Sequence, residues 1–110
     1  MDIKDAIIHF SALAQETRLE VFRLLVKAGG DGMLAGEIAD GLGVKQNTMS
    51  SNLSVLSNAG LLQSSREGRF IRYSIDFDNL SELLSFLMED CCGGDPVACQ
   101  TAIAKIMKCC

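Results

Sequence analysis

Tryptophan is absent from this chain, and its aromatics amount to five Phe and one Tyr. Any core must therefore be aliphatic. At 110 residues and 48% apolar composition there is material for one small domain. No apolar run approaches the roughly 20 residues that a membrane span needs. The runs near the start are broken by Lys4, Asp5 and His9, unlike the apolar stretch of a signal peptide. The expected setting is cytoplasmic, with no membrane partner. His9 is the lone histidine, and a single histidine on an amphipathic helix is more often surface or packing than ligand. There is no Ser-His-Asp set, no phosphate-cradling glycine loop and no paired-carboxylate motif. The chain therefore offers no candidate active site, and the expectation is a protein that is not an enzyme.

Positive charge is also scarce. The net charge is −4, which at first argues against nucleic acid. The distribution reverses that impression. Residues 1–44 and 76–110 are net acidic, whereas residues 45–75 carry Lys45, Arg66, Arg69 and Arg72 against Glu67 alone. A local basic patch is enough for phosphate contacts, with binding strongly salt-sensitive.

That segment opens with Lys45–Leu62, KQNTMSSNLSVLSNAGLL, bounded by Gly43 and Gly60, the residue type that ends helices in a left-handed cap. Met49, Leu53 and Leu56 fall on one helical face. The rest is small and neutral: Gln46, Asn47, Thr48, Ser50, Ser51, Ser54 and Ser57. Ser and Asn are mediocre helix formers, and a merely solvated helix would more often carry Glu and Lys. A face of amides and hydroxyls can instead exchange donors and acceptors with another polar surface, such as the major groove of DNA.

Ahead of it, Leu34–Leu42 reads as a short helix and Gly43-Val44 as a tight turn, giving the helix-turn-helix order. Behind it, Gln63–Arg66 and Arg69–Ile75 read as strands flanking a two-residue Glu67-Gly68 turn. Arg66, Arg69 and Arg72 would concentrate charge near the hairpin tip. The fold expected is mainly α with a β-hairpin wing, a winged helix-turn-helix.

In the remaining chain, residues 3–14 form a helix capped by Asp2, with Ile3, Ile7, Phe10 and Ala14 along one face. Glu16–Ala28 forms the next, with Leu19, Phe22, Leu25 and Val26 inward and Arg18, Arg23 and Lys27 outward. Asn79 and Glu82 are spaced as a helix N-cap and its N3 partner, ahead of a Leu80–Met88 apolar stripe running to about Asp90. Glu37 and Asp40 read as ordinary helix surface. The first and last helices are too apolar to stand alone, which points to a dimer. Residues 1–90 form the DNA-binding and dimerisation domain, and 91–110 a cysteine-rich segment.

All five cysteines lie in that segment: Cys91, Cys92, Cys99, Cys109 and Cys110. In a cytosolic protein they are better read as reduced ligands than as disulfides. Gly93-Gly94 forms a hinge that lets Cys91, Cys92 and Cys99 converge. Asp95 and Pro96 read as N-cap and N1 of a final short helix. This puts Cys99 in its first turn, where the dipole favours thiolate. Three thiolates without a fourth ligand suit a soft trigonal centre, namely trivalent arsenic (arsenite) or antimony, whereas zinc would want a fourth donor. On a continuous helix Cys99 and Cys110 lie roughly 16 Å apart, so they cannot share an ion within one chain. Cys109-Cys110 is then a second dithiol trap, a reach to another subunit, or a frayed tail.

Thr17-Arg18-Leu19, Glu37-Ile38-Ala39, Thr48-Met49-Ser50 with Leu53, Val55 and Leu56, Asn58-Ala59-Gly60-Leu61-Leu62, and Arg66-Glu67-Gly68-Arg69 with Tyr73 together resemble the ArsR (ArsR/SmtB) family of bacterial metal-responsive repressors. The likeness covers roughly residues 5–90. It implies a homodimer joined through the first and last helices. It also implies double-stranded operator DNA read by helix 45–59, with Gln46, Asn47, Thr48, Ser50 and Ser51 toward bases or nearby phosphates, and release when an inducer binds. The cysteines resemble the branch whose arsenic site follows the last helix of the domain, which implies Cys91, Cys92 and Cys99 as ligands. Two other readings stand beside this one. The same fold could sense cadmium, lead, an organoarsenical, an oxidant or a persulfide. A thiol-rich carrier or enzyme would leave the polar helix and charged hairpin without a use.

Overall fold

The computed structural model describes residues 1–89 and 96–107. Six helices and a three-stranded sheet follow in the order α1 (Ile3–Leu13), α2 (Glu16–Ala28), β1 (Met33–Leu34), α3 (Ala35–Leu42), α4 (Gln46–Asn58), β2 (Leu62–Glu67), β3 (Phe70–Ile75), α5 (Phe77–Leu87) and α6 (Pro96–Met107). This is the winged helix-turn-helix arrangement, with the hairpin β2–β3 as the wing.

Local chemistry sets the helix ends. The Asp2 carboxylate accepts from the Asp5 backbone N–H at 2.8 Å, satisfying one of the donors that the first turn of α1 leaves free. α5 is capped in the same way by Asp76, which accepts from the Asn79 N–H at 3.1 Å. The cap is thus Asp76 and not Asn79, and α5 begins at Phe77. At α3 the Glu37 carboxylate reaches back to the Leu34 N–H at 2.8 Å, so Glu37 is a cap rather than idle surface. Gly43 closes α3 in the left-handed conformation, φ +65°.

Leu34 is not helical. With Met33 it forms β1, pairing antiparallel with β3 through Met33↔Tyr73 and Leu34↔Arg72. The sheet order is β1-β3-β2. Two residues are too short for an alternation pattern, so this edge strand left no mark in the sequence. Gly32, before it, sits at φ +63°, where a Cβ would stand 2.1 Å from the Tyr73 carbonyl oxygen. In the wing Glu67 pairs with Phe70. The turn is therefore Gly68-Arg69, one residue later than the sequence pattern places it, with Gly68 at φ +64°. Charged Glu67 joins the ladder because its carboxylate finds Arg72 across the strands.

The core is aliphatic. Val21, Leu25, Ile38, Met49, Leu53, Leu56, Leu61 and Ile75 are fully buried at the meeting of α2, α3, α4 and the sheet. On α2 the inward residues are Val21, Phe22 and Leu25, while Leu19 and Val26 are exposed. The inward face turns on Val21 because α2 is wedged between the sheet and α3 and not only against α1. On α1 the buried residues are Ala6, His9 and Ala12. Small side chains let that helix approach α4 closely. The larger Ile3, Ile7, Ile8 and Phe10 face outward, Ile3 66% and Ile7 58% exposed.

Candidate nucleic-acid interface

α4 presents two chemically distinct faces. Met49, Leu53 and Leu56 fix it in the core, while Gln46, Asn47, Thr48, Ser50, Ser51 and Ser54 are all exposed. Ser57 differs from this set. It is half-buried, and its hydroxyl has no hydrogen-bond partner among the described residues. The polar face is thus shorter than the sequence pattern indicates, because the last turn of α4 is partly covered. Two of the exposed residues bond locally. The Asn47 side-chain oxygen accepts from the Thr48 N–H at 2.9 Å, and the Ser51 hydroxyl donates to the Asn47 carbonyl at 3.3 Å.

Arg18 holds this helix from behind. It lies half-buried and not outward. Its Nε donates to the Ala12 carbonyl at 2.6 Å, and a terminal nitrogen lies 3.4 Å from the Asn52 side-chain oxygen. One guanidinium thereby ties the end of α1 to the middle of α4. The fork geometry of arginine suits such bridging. Charge alone labelled Arg18 as surface; nothing in the sequence marks the carbonyl it answers.

On the wing, Arg66 and Arg69 are exposed. Arg72 is engaged. It meets the Glu67 carboxylate at 2.6 Å and donates to the Asp31 carbonyl at 3.2 Å. The hydrogen bond from Arg72, reinforced by its charge, holds the Glu67 carboxyl below its ordinary value, and the same bond raises Arg72. Of the three wing arginines, Arg66 and Arg69 are exposed to solvent, while Arg72 braces the hairpin.

Among the described residues, no three of His, Cys, Asp and Glu are grouped to hold a metal ion. Cys91, Cys92, Cys109 and Cys110 lie outside the described residues, as do the Gly93-Gly94 hinge and the Asp95 cap. Cys99 falls in the first turn of α6, which begins at Pro96 as the proline signal predicts. No helix among the described residues is long and apolar enough to cross a membrane.

An exposed, uncharged polar helix behind a glycine turn, beside an arginine-tipped hairpin, defines a winged helix-turn-helix DNA-binding protein. Residues 13–64 match the family described as Helix-turn-helix domain. The transcriptional repressor SdpR of Bacillus subtilis is 31% identical over 86 residues, 78% of this chain and 92% of that protein. A probable mercury resistance operon repressor of Streptomyces lividans is 26% identical over 97 residues, 88% and 74% of the two chains. Among solved structures, an ArsR-like transcriptional regulator of Rhodococcus sp. RHA1 superposes with TM-score 0.69 at 28% identity, covering 94% and 92%. A homodimeric winged helix-turn-helix domain of Mycobacterium bovis gives 0.63 at 27%, covering 80% and 82%. A possible transcriptional regulator for arsenical resistance gives 0.61 at 26%, covering 70% and 77%. The chain belongs to the ArsR-like family of helix-turn-helix transcriptional regulators.

Proposed function

We propose that the protein is a homodimeric repressor that binds double-stranded operator DNA and releases it when Cys91, Cys92 and Cys99 capture trivalent arsenic, or antimony. The exposed neutral face of α4 carries the DNA reading. Amides and hydroxyls there can meet base edges, while Arg66 and Arg69 neutralise phosphate. The outward Ile3, Ile7 and Ile8 of α1, with Leu84 and Leu87 of α5, support pairing of two chains. The Mycobacterium bovis relative is homodimeric.

The inducer rests on thiol chemistry. Adjacent thiols beside a glycine hinge, with a third in the first turn of α6, supply three soft donors and no hard one. One solved relative is named for arsenical resistance. Capture gathers the segment following α5, so the spacing of two reading heads no longer matches the duplex. By linkage, DNA weakens inducer binding by the same factor. A relative named for mercury resistance favours a second reading, in which the same thiols answer another thiophilic signal.

The test is fluorescence anisotropy of labelled promoter DNA from upstream of the protein's own gene, titrated with protein and then with arsenite under reducing conditions. Release by arsenite and not by zinc, abolished in Cys92→Ser, is the expected result. Release unchanged in Cys92→Ser overturns the three-thiol site. Release by mercury or cadmium alone moves the assignment to the second reading.

A further inference from the structure

The end of α4 is closed with care. The Leu61 N–H donates to the Leu56 carbonyl at 3.1 Å and the Gly60 N–H to the Ser57 carbonyl at 3.0 Å. This is the paired pattern in which glycine takes positive φ just past the helix, and Gly60 has φ +87°. Leu56 and Leu61, which flank the motif, are both fully buried. The Gly60 carbonyl, left over by this motif, is taken by α5. Asn79 Nδ2 donates to it at 2.7 Å and lies 3.2 Å from the Asp76 carboxylate, whose backbone N–H donates to the Leu61 carbonyl at 3.0 Å.

Three elements converge on this one glycine. A Cβ at Gly60 would stand 3.2 Å from Asn79 Nδ2 and 3.6 Å from His9 Nε2. The surroundings are otherwise loosely tied. His9 is buried with its Nδ1 unpartnered among the described residues, and so is the Ser57 hydroxyl. A cavity of about 340 Å³ lined by Asp5, His9, Asn58 and Asn79 opens alongside. Leu80 packs against the core and Leu83 is buried, so packing holds α5 farther along. At its start the Asn79 amide adds a side-chain hydrogen bond to the turn that closes α4.

We infer that Asn79 is a positioning residue for DNA reading: its amide, clamped between Gly60 and Asp76, fixes the C-terminal end of the reading helix α4, whose middle the core holds, against the start of α5. The inference rests on the proposed DNA reading for its functional consequence, but the joint itself is testable without DNA. Asn79→Leu removes both donors at similar size. Asn79→Asp keeps the shape and turns a carboxylate toward two acceptors.

The full chain of each variant is compared with wild type in two measurements. The first is anisotropy against operator and scrambled duplexes. The second is amide exchange at Gly60 and Leu61. Losing two hydrogen bonds of ordinary net strength, Asn79→Leu should lower operator affinity roughly tenfold or more while scrambled-duplex affinity stays level. Exchange at Gly60 and Leu61 should accelerate by a similar factor, and Asn79→Asp should do more of both. Equal losses on both duplexes with a lowered Tm would make Asn79 merely structural and overturn the inference, as would unchanged exchange. Faster exchange in a protein whose wild type binds no duplex would sustain the joint and overturn the DNA reading instead.

Discussion

Glu67 and Arg72 show how one residue pair stiffens a reading element. The Glu67 carboxyl is held below its ordinary value, 4.5, by the Arg72 hydrogen bond. A depressed carboxyl contributes stability that is fully present above its unfolded value and is lost as pH falls through the folded one. The brace should thus be intact at neutral pH and dissolve only in acid below the ordinary glutamate range. Carboxyl NMR should show Glu67 titrating low in wild type and return it toward the ordinary value in Arg72→Ala. Gly32 supplies a second residue-scale prediction. With φ +63° and the Tyr73 carbonyl 2.1 Å from a Cβ position, Gly32→Ala must displace β1 from β3. Its backbone, with ψ −159°, lies in a region open essentially to glycine alone, and holding another residue there costs about 1–3 kcal/mol. At roughly 4–8 °C per kcal/mol in a domain of this size, thermal melting should show a Tm lower by about 10 °C.

At the scale of elements, the helices were legible from apolar spacing and caps. α4 advertises its inward face without error, whereas Ile3, Ile7, Leu19 and Val26 of α1 and α2 turn outward. Met49, Leu53 and Leu56 appear at helical spacing, and all three are buried. Pro96 opens α6, and Gly43 and Gly60 take the positive φ their positions required. What escaped was set by neighbours distant in sequence. β1 exists because β3 has a free edge, Arg18 turns inward to the Ala12 carbonyl, and the wing turn shifts to Gly68-Arg69 so that Glu67 can meet Arg72. The exposed half of α4 was readable from composition, and its shortening at Ser57 was not, since that depends on how the folded chain covers the last turn. The two halves of the interface should separate by experiment. Gln46→Ala and Ser50→Ala, both exposed, should leave the unfolding free energy within about 0.5 kcal/mol of wild type. Each should also cost operator discrimination by about 1–3 kcal/mol if its side chain reads a base. Arg66→Ala or Arg69→Ala should weaken binding to every duplex and reduce the salt slope by about 1 each. Anisotropy over a salt series checks all four.

For the whole molecule, the outward isoleucines of α1 predict that a single chain is not the working unit. Ile7 is 58% exposed, so Ile7→Asp should leave the fold intact by circular dichroism. Sedimentation should shift toward monomer, and operator binding should fall steeply, since one reading head makes half the phosphate contacts.

The placement of charge carries a further consequence. Arg66 and Arg69 stand on the wing beside a neutral α4, whereas the sequence on either side of the reading segment is net acidic. Such a molecule meets a polyanion favourably through its wing, while its net charge of −4 opposes attachment in general. Chance encounters with chromosome would be brief, so little of the pool would be stranded on irrelevant sequence, and a modest number of copies could keep one promoter silent.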